Sequence, residues 1–172
     1  MHKISALQIN NSFSGHHYLP YSIGLLNAYY MTHSKIKNFK MIDMFYKRGN
    51  INDIVQRLQF NEVVLFSTYV WNINVSLEIA KRLKKINKEV IIIFGGPSVP
   101  DKAYSFLKQN SFIDIACHQE GERKLTGILD GLDNKEWENT PGISFFDREK
   151  FISNTDVPRI KNMSILPSPY LR

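Results

Sequence analysis

The run Glu89-Val90-Ile91-Ile92-Ile93-Phe94 ends abruptly at Gly95-Gly96-Pro97, and no other segment constrains the fold so strongly. An unbroken apolar run of this length suits a strand covered on both faces, which is the habit of parallel sheets flanked by helices. The glycine pair and the proline then break the extended backbone. Glu62-Val63-Val64-Leu65-Phe66-Ser67 has the same character. Between the two runs, Asn74 to Ile86 is helical, with Leu77, Ile79, Ala80 and Leu83 as its apolar positions.

The alternation extends in both directions. Ile4 to Ile9 reads as the first strand, Asn10 to Pro20 as a polar and aromatic loop, and Tyr21 to His33 as a helix. Phe39 to Phe45 is a more polar strand, and Ile51 to Leu58 is a helix with Ile51, Ile54, Val55 and Leu58 on one face. Asp101 to Gln109 is helical, Phe112 to Cys117 a shorter strand, and Glu122 to Leu132 a further helix. Strands alternating with helices predict an α/β fold, doubly wound, with a mainly parallel five-stranded sheet. The order 2-1-3-4-5, Rossmann- or flavodoxin-like, is expected. Gly142 to Phe146 and Phe151 to Ser153, around the turn Asp147 to Lys150, predict a C-terminal β-hairpin. The proline-rich Ile165 to Arg172 reads as an extended tail. The expected organisation is residues 1–133 as the α/β domain, 134–160 as the hairpin extension and 161–172 as a linker.

Composition narrows the function. One cysteine, Cys117, can form no internal disulfide and cannot supply an iron–sulfur cluster or a Cys-rich zinc site. No apolar run approaches the roughly 20 residues that span a bilayer, and the N-terminus has no signal-peptide core. A soluble, cytoplasmic protein without a membrane partner is expected. The net charge of +6 invites a nucleic-acid partner. However, the densest basic stretch, Lys81 to Lys85, falls on an amphipathic helix as its solvated face, and no RNP-like, zinc-finger or helix-turn-helix pattern occurs. No nucleic-acid partner is expected.

In an open parallel sheet, ligands bind outside the carboxyl ends of the strands. Those ends carry Asn10 to Tyr18, then Ser67-Thr68-Tyr69-Val70-Trp71-Asn72, then Gly95-Gly96-Pro97-Ser98, and finally His118-Gln119-Glu120-Gly121-Glu122. Small, aromatic and hydrogen-bonding groups together suit a large, flat, partly apolar ligand. Each also has a plain structural alternative. Gly95 and Gly96 serve equally as a tight turn, Trp71 as a core aromatic, and Glu120 to Glu122 as helix-dipole carboxylates. His16 and His17 read as a solvated pair, or as metal ligands, and Cys117 as an inert buried thiol. No Walker loop, dinucleotide-binding glycine motif, phosphoacceptor aspartate or nucleophile elbow is present. No catalytic residue and no metal ligand is assigned to this chain.

In order and spacing, Tyr18 to Leu26, Phe66 to Asn72, Phe94 to Pro97, Gln119 to Glu122 and Leu166 to Leu171 resemble a known pattern. It is that of the N-terminal cobalamin-binding domain of cobalamin-dependent radical S-adenosylmethionine enzymes. The resemblance implies a cobalamin across the strand ends, with its nucleotide tail in a crevice beside the sheet. Ser67 would meet the tail, and Gly95 and Gly96 would let it pass close to backbone, with Pro97 in the same cofactor-binding set. The Tyr69 to Asn72 and Glu120-Gly121 loops would border the corrin ring, and Thr68 would belong to the same cofactor-binding set. Substitution of Gly96 by valine is then expected to abolish cobalamin retention and spare the fold.

The Asp-x-His-x-x-Gly motif of histidine-on cobalamin proteins is missing. His118 and Gly121 keep its second half, but Ala116 stands in place of the aspartate. A histidine-off site is expected, with Phe13, His16, His17 or Tyr18 near the lower face. The CxxxCxxC motif is also absent. The [4Fe–4S] cluster and S-adenosylmethionine would therefore belong to a radical barrel outside this chain, which would be its partner. The implied parent is a methyltransferase or a related radical enzyme, and the isolated module is not catalytic. The alternative is a cofactor-free Rossmann-like interaction domain. A flavin-binding reading is weaker, because no Ser/Thr-rich phosphate loop follows the first strand.

Overall fold

The computed structural model describes residues 2–134 and 136–170. In chain order the elements are β1 (His2–Leu7), a short ribbon of β2 (Ser12–Phe13) and β3 (His16–His17), α1 (Tyr21–His33), β4 (Phe39–Phe45), α2 (Ile51–Leu58) and β5 (Val63–Ser67). They continue with α3 (Ile73–Ile86), β6 (Ile91–Gly95), α4 (Tyr104–Gln109), β7 (Ile115–Cys117), α5 (Glu122–Asp130), β8 (Ile143–Asp147), β9 (Lys150–Ser153) and a 3₁₀ turn at Met163–Ile165.

The main sheet has the order β4-β1-β5-β6-β7-β8-β9. Its first five strands are parallel and carry the predicted 2-1-3-4-5 order. The hairpin, read from sequence as an appendage, joins the same sheet when β8 pairs antiparallel with β7. Side chains of β5 and β6 alternate between two cores. Phe66 and Phe94 stack at 4.7 Å in the core beneath α2 and α3. Leu65 and Ile93 point to the opposite core, beneath α1 and α5. All four are almost fully buried, and each contributes about 1.5–3 kcal/mol by leaving water.

Three local devices sharpen the layout. Asn50 caps α2, its side chain accepting from the Asn52 N–H at 2.8 Å. On α3, Lys81 and Lys85 are solvated as expected. Lys84 instead crosses to Asp114 at 2.8 Å and donates to the Val90 carbonyl at 2.6 Å, tying α3 to the edges of β6 and β7. The Asn10 to Pro20 segment is not a plain loop. Ser14 and Gly15 both take positive φ, 48° and 77°, and turn β2 into β3.

The tail is also more than an extended linker. His33 on α1 lies 3.0 Å from the Ile165 carbonyl, Pro169 packs over Gly24, and the Tyr170 ring lies 6.1 Å from Tyr21. Leu171 and Arg172, part of the expected lead-out, lie outside the described residues. No helix among the described residues is long and apolar enough to cross a membrane.

Candidate functional site

Connections leave β1 and β5 toward opposite faces, so the carboxyl ends of these neighbours form the switch point where such sheets bind ligands. The loop after β5 is knitted by its own polar groups. The Asn72 side chain is buried, donates to the Ile9 and Ser67 carbonyls (both at 3.1 Å) and accepts from the Tyr69 N–H at 2.8 Å. Thr68, also buried, donates through its hydroxyl to the Gly95 carbonyl at 2.8 Å. This bracing leaves Tyr69, Val70 and Trp71 at the rim. Val70 is largely exposed, and Trp71 is 42% exposed and stacked on Tyr69 at 4.7 Å. The core-aromatic reading of Trp71 therefore fails. Arg48 anchors the loop from outside, donating to the Trp71 carbonyl at 3.0 Å.

Below the rim, between α1, α5 and the ends of β5, β6 and β7, lies a crevice of about 220 Å³. It brings together Ser67, Tyr69, Gly95, Gly96, Pro97, Glu120 and Gly121 from the predicted set. Thr68, Val70, Trp71 and Asn72 do not line it: two brace the loop and two stand at its edge. Leu65, Ile93 and Leu125 give it apolar surface, and Ser22 and Glu122 add polar groups. Ser22 donates to Gln8 Oε1 at 2.6 Å and lies 3.2 Å from the Ser67 hydroxyl.

The contributions of Ser22, Ile23 and Leu26 from α1 were missed as site residues. The signal was available, because a helix that follows the strand at a switch point must roof it. A larger hollow of about 1120 Å³ lies at the amino ends of the parallel strands, between α4 and the hairpin. It has neither the glycine turn nor the strand-end loops, so the smaller crevice is the candidate site.

The two glycines differ. Gly96 has φ +98°, and a Cβ there would stand 2.5 Å from the Thr68 carbonyl oxygen. The turn needs this glycine, so the expectation that Gly96→Val would spare the fold is wrong. A Cβ on Gly95 would meet only Cys117 Cβ, at an ordinary 3.6 Å. Burial pushes the Cys117 thiol up to about 12, against a smaller opposing pull from Lys124, so it is an inert thiol as expected.

Next to it, burial chiefly pushes the His118 pKa below its ordinary value; its Nε2 lies 2.8 Å from the Ser144 hydroxyl, and its Nδ1 is buried without a hydrogen-bond partner. Lys124, almost fully buried, pairs with Asp156 at 2.9 Å and donates to the His118 carbonyl. The Glu120 carboxylate accepts from the Ile160 N–H at 2.8 Å. The strap from Asp156 to Ile160 is thus pinned to the loop that walls the crevice. His16 and His17 are exposed on the ribbon. No group of three or more metal-ligating side chains occurs among the described residues.

Residues 20–129 match the B12 binding domain family. The chain is 26% identical over 157 residues to the cobalamin-dependent radical SAM methyltransferase TokK of Streptomyces tokunonensis, covering 90% of this chain and 23% of that enzyme. It is 24% identical, with the same coverage, to the 2-(S-pantetheinyl)-carbapenam-3-carboxylate methyltransferase of Streptantibioticus cattleyicolor. In fold it resembles the cobalamin-dependent S-adenosylmethionine radical enzyme OxsB, solved with aqua-cobalamin and S-adenosylmethionine bound. The TM-score is 0.75 at 19% identity, covering 98% of this chain and 24% of that one. The radical S-adenosylmethionine methyltransferase TsrM from Kitasatospora setae, solved with cobalamin and a [4Fe–4S] cluster, gives a TM-score of 0.67 at 12% identity, covering 90% and 31%. The chain spans about a quarter of the length of the curated relatives it matches.

Proposed function

The chain belongs to the B12 binding domain family, and from that premise we propose that it holds a cobalamin at the carboxyl ends of β5, β6 and β7 as a module of a radical S-adenosylmethionine methyltransferase. The observation that carries this reading is the crevice. Its apolar lining suits the flat base of a nucleotide tail, and its serines and carboxylates suit the hydroxylated remainder. The open glycine turn beside Ser67 leaves backbone exposed to a ligand. Above it, the Tyr69–Trp71 stack and Val70 offer an apolar rim to a corrin edge. Thr68 and Asn72 fix that rim through their hydrogen bonds. Bound cobalamin supplies a cobalt centre that can accept and give up a methyl group.

In this reading no histidine of the chain would hold the cobalt. His118 does not line the crevice, and His16 and His17 stand on the exposed ribbon, which supports it. The cluster and S-adenosylmethionine are supplied by a radical barrel, the partner of this module in the cytoplasm. The return of the tail to Tyr21, at the start of α1 beside the crevice, supports a barrel placed over the strand ends.

The test is reconstitution of the 172-residue chain with hydroxocobalamin, followed by desalting and a visible spectrum. Retained corrin absorbance at about one equivalent is expected. Complete loss of colour would favour a cofactor-free interaction domain. Electron paramagnetic resonance of the Co(II) form then reads the lower face. A nitrogen triplet that disappears in His16→Ala or His17→Ala, with the benzimidazole detached, would overturn the histidine-off assignment.

A further inference from the structure

Glu122 Oε2 is shielded from water and has no hydrogen-bond partner, yet its residue lines the crevice. A buried carboxylate oxygen left unpaired is costly, so such an atom is commonly completed by something that binds. Ser67 has a related property. The single hydroxyl proton of Ser22 goes to Gln8 Oε1 at 2.6 Å, so the 3.2 Å contact between the two serines must use the Ser67 proton. Ser67 therefore offers the crevice only lone pairs. Two side chains from different elements present acceptors to the same small space, so its occupant must bring O–H or N–H donors.

Resting on the cobalamin reading above, we infer that Glu122 recognises the nucleotide tail by accepting a hydrogen bond from a ribose hydroxyl. The dimethylbenzimidazole ring has no N–H when attached to the ribose, so the donor is on the sugar. The base itself suits the apolar surface of Leu65, Ile93 and Leu125. Glu122 is thus a specificity residue for complete corrinoids over those lacking the tail. The reading from sequence had passed over it in favour of Glu120, whose carboxylate is already engaged by the Ile160 N–H.

The experiment titrates the wild-type chain, Glu122→Gln and Glu122→Leu with hydroxocobalamin and with cobinamide, which has the corrin but no nucleotide tail. Affinity is read from visible absorbance, and folding from circular dichroism and thermal melting. The Leu variant is expected to bind cobalamin about tenfold more weakly, the scale of one charge-assisted hydrogen bond. The Gln variant should lose less, and neither should change cobinamide binding. Undiminished cobalamin affinity in the Leu variant would overturn the assignment and leave Oε2 to water. So would an equal loss for both corrinoids, since the tail would then not be what Glu122 touches. Failure of the wild-type chain to bind either corrinoid would sink the cobalamin reading itself, a result distinct from all of these.

Discussion

Gly95 and Gly96 are adjacent and chemically identical, yet their tolerances are opposite. At Gly96 a methyl group meets the Thr68 backbone, and the positive φ disfavours any side chain. Gly96→Ala should lower stability by about 1–3 kcal/mol, the cost of holding a non-glycine residue in such backbone. Gly95→Ala should change it by less than about 1 kcal/mol. Urea midpoints of the two variants measure the difference. His118 gives a pH-dependent counterpart. Burial lowers its pKa below the ordinary 6.5, the Asp101 and Asp156 charges pull it up, and Lys124 pushes it down. The unfolded chain therefore binds the extra proton first. The stabilisation is complete above about pH 6.5 and is lost as pH falls through the lower folded value. Denaturation midpoints between pH 7 and 5 should decline, and His118→Gln should flatten that decline.

Among the elements, the strap from Asp156 to Ile160 is held by two contacts, the Lys124–Asp156 pair and the Glu120 carboxylate on the Ile160 N–H. Asp156→Ala leaves a buried ammonium without its counter-charge and should cost up to about 3 kcal/mol, the lower end for such pairs, because Asp156 keeps 23% of its side chain in water. Hydrogen exchange at the Ile160 amide should accelerate in the same variant. The bounds of α1, β4 and α2 were legible in the sequence because their signals are local: Pro20 before α1, a short mixed apolar and polar run in β4, and Ile51, Ile54, Val55 and Leu58 at 3–4 spacing in α2. The strap, the Lys84–Asp114 tie and the tail were not, because each depends on a partner distant along the chain. The β2–β3 ribbon had a local signal, Ser14-Gly15, too short to stand out in an aromatic loop.

For the molecule as a whole, the strand-end position of the site was legible because a parallel order dictates where the loops collect. That α1 roofs the site follows from the same order, but which of its residues face the crevice depends on packing against α5 and the sheet, so Ser22, Ile23 and Leu26 were not legible one by one. A ligand seated between α1, α5 and three strand ends ties both helices to the sheet. Hydroxocobalamin at a hundred times its dissociation constant should therefore add about 2.7 kcal/mol to unfolding, seen as a raised melting temperature. The Tyr69–Trp71 stack gives the molecule a built-in gauge of such binding. The Trp71 indole is half in water at the rim, whereas Trp137 is buried with its N–H on the Ile128 carbonyl. A chromophore arriving over the strand ends should quench the red-shifted fluorescence of the first and take less from the blue-shifted emission of the second, so one emission spectrum carries both the signal and its internal reference.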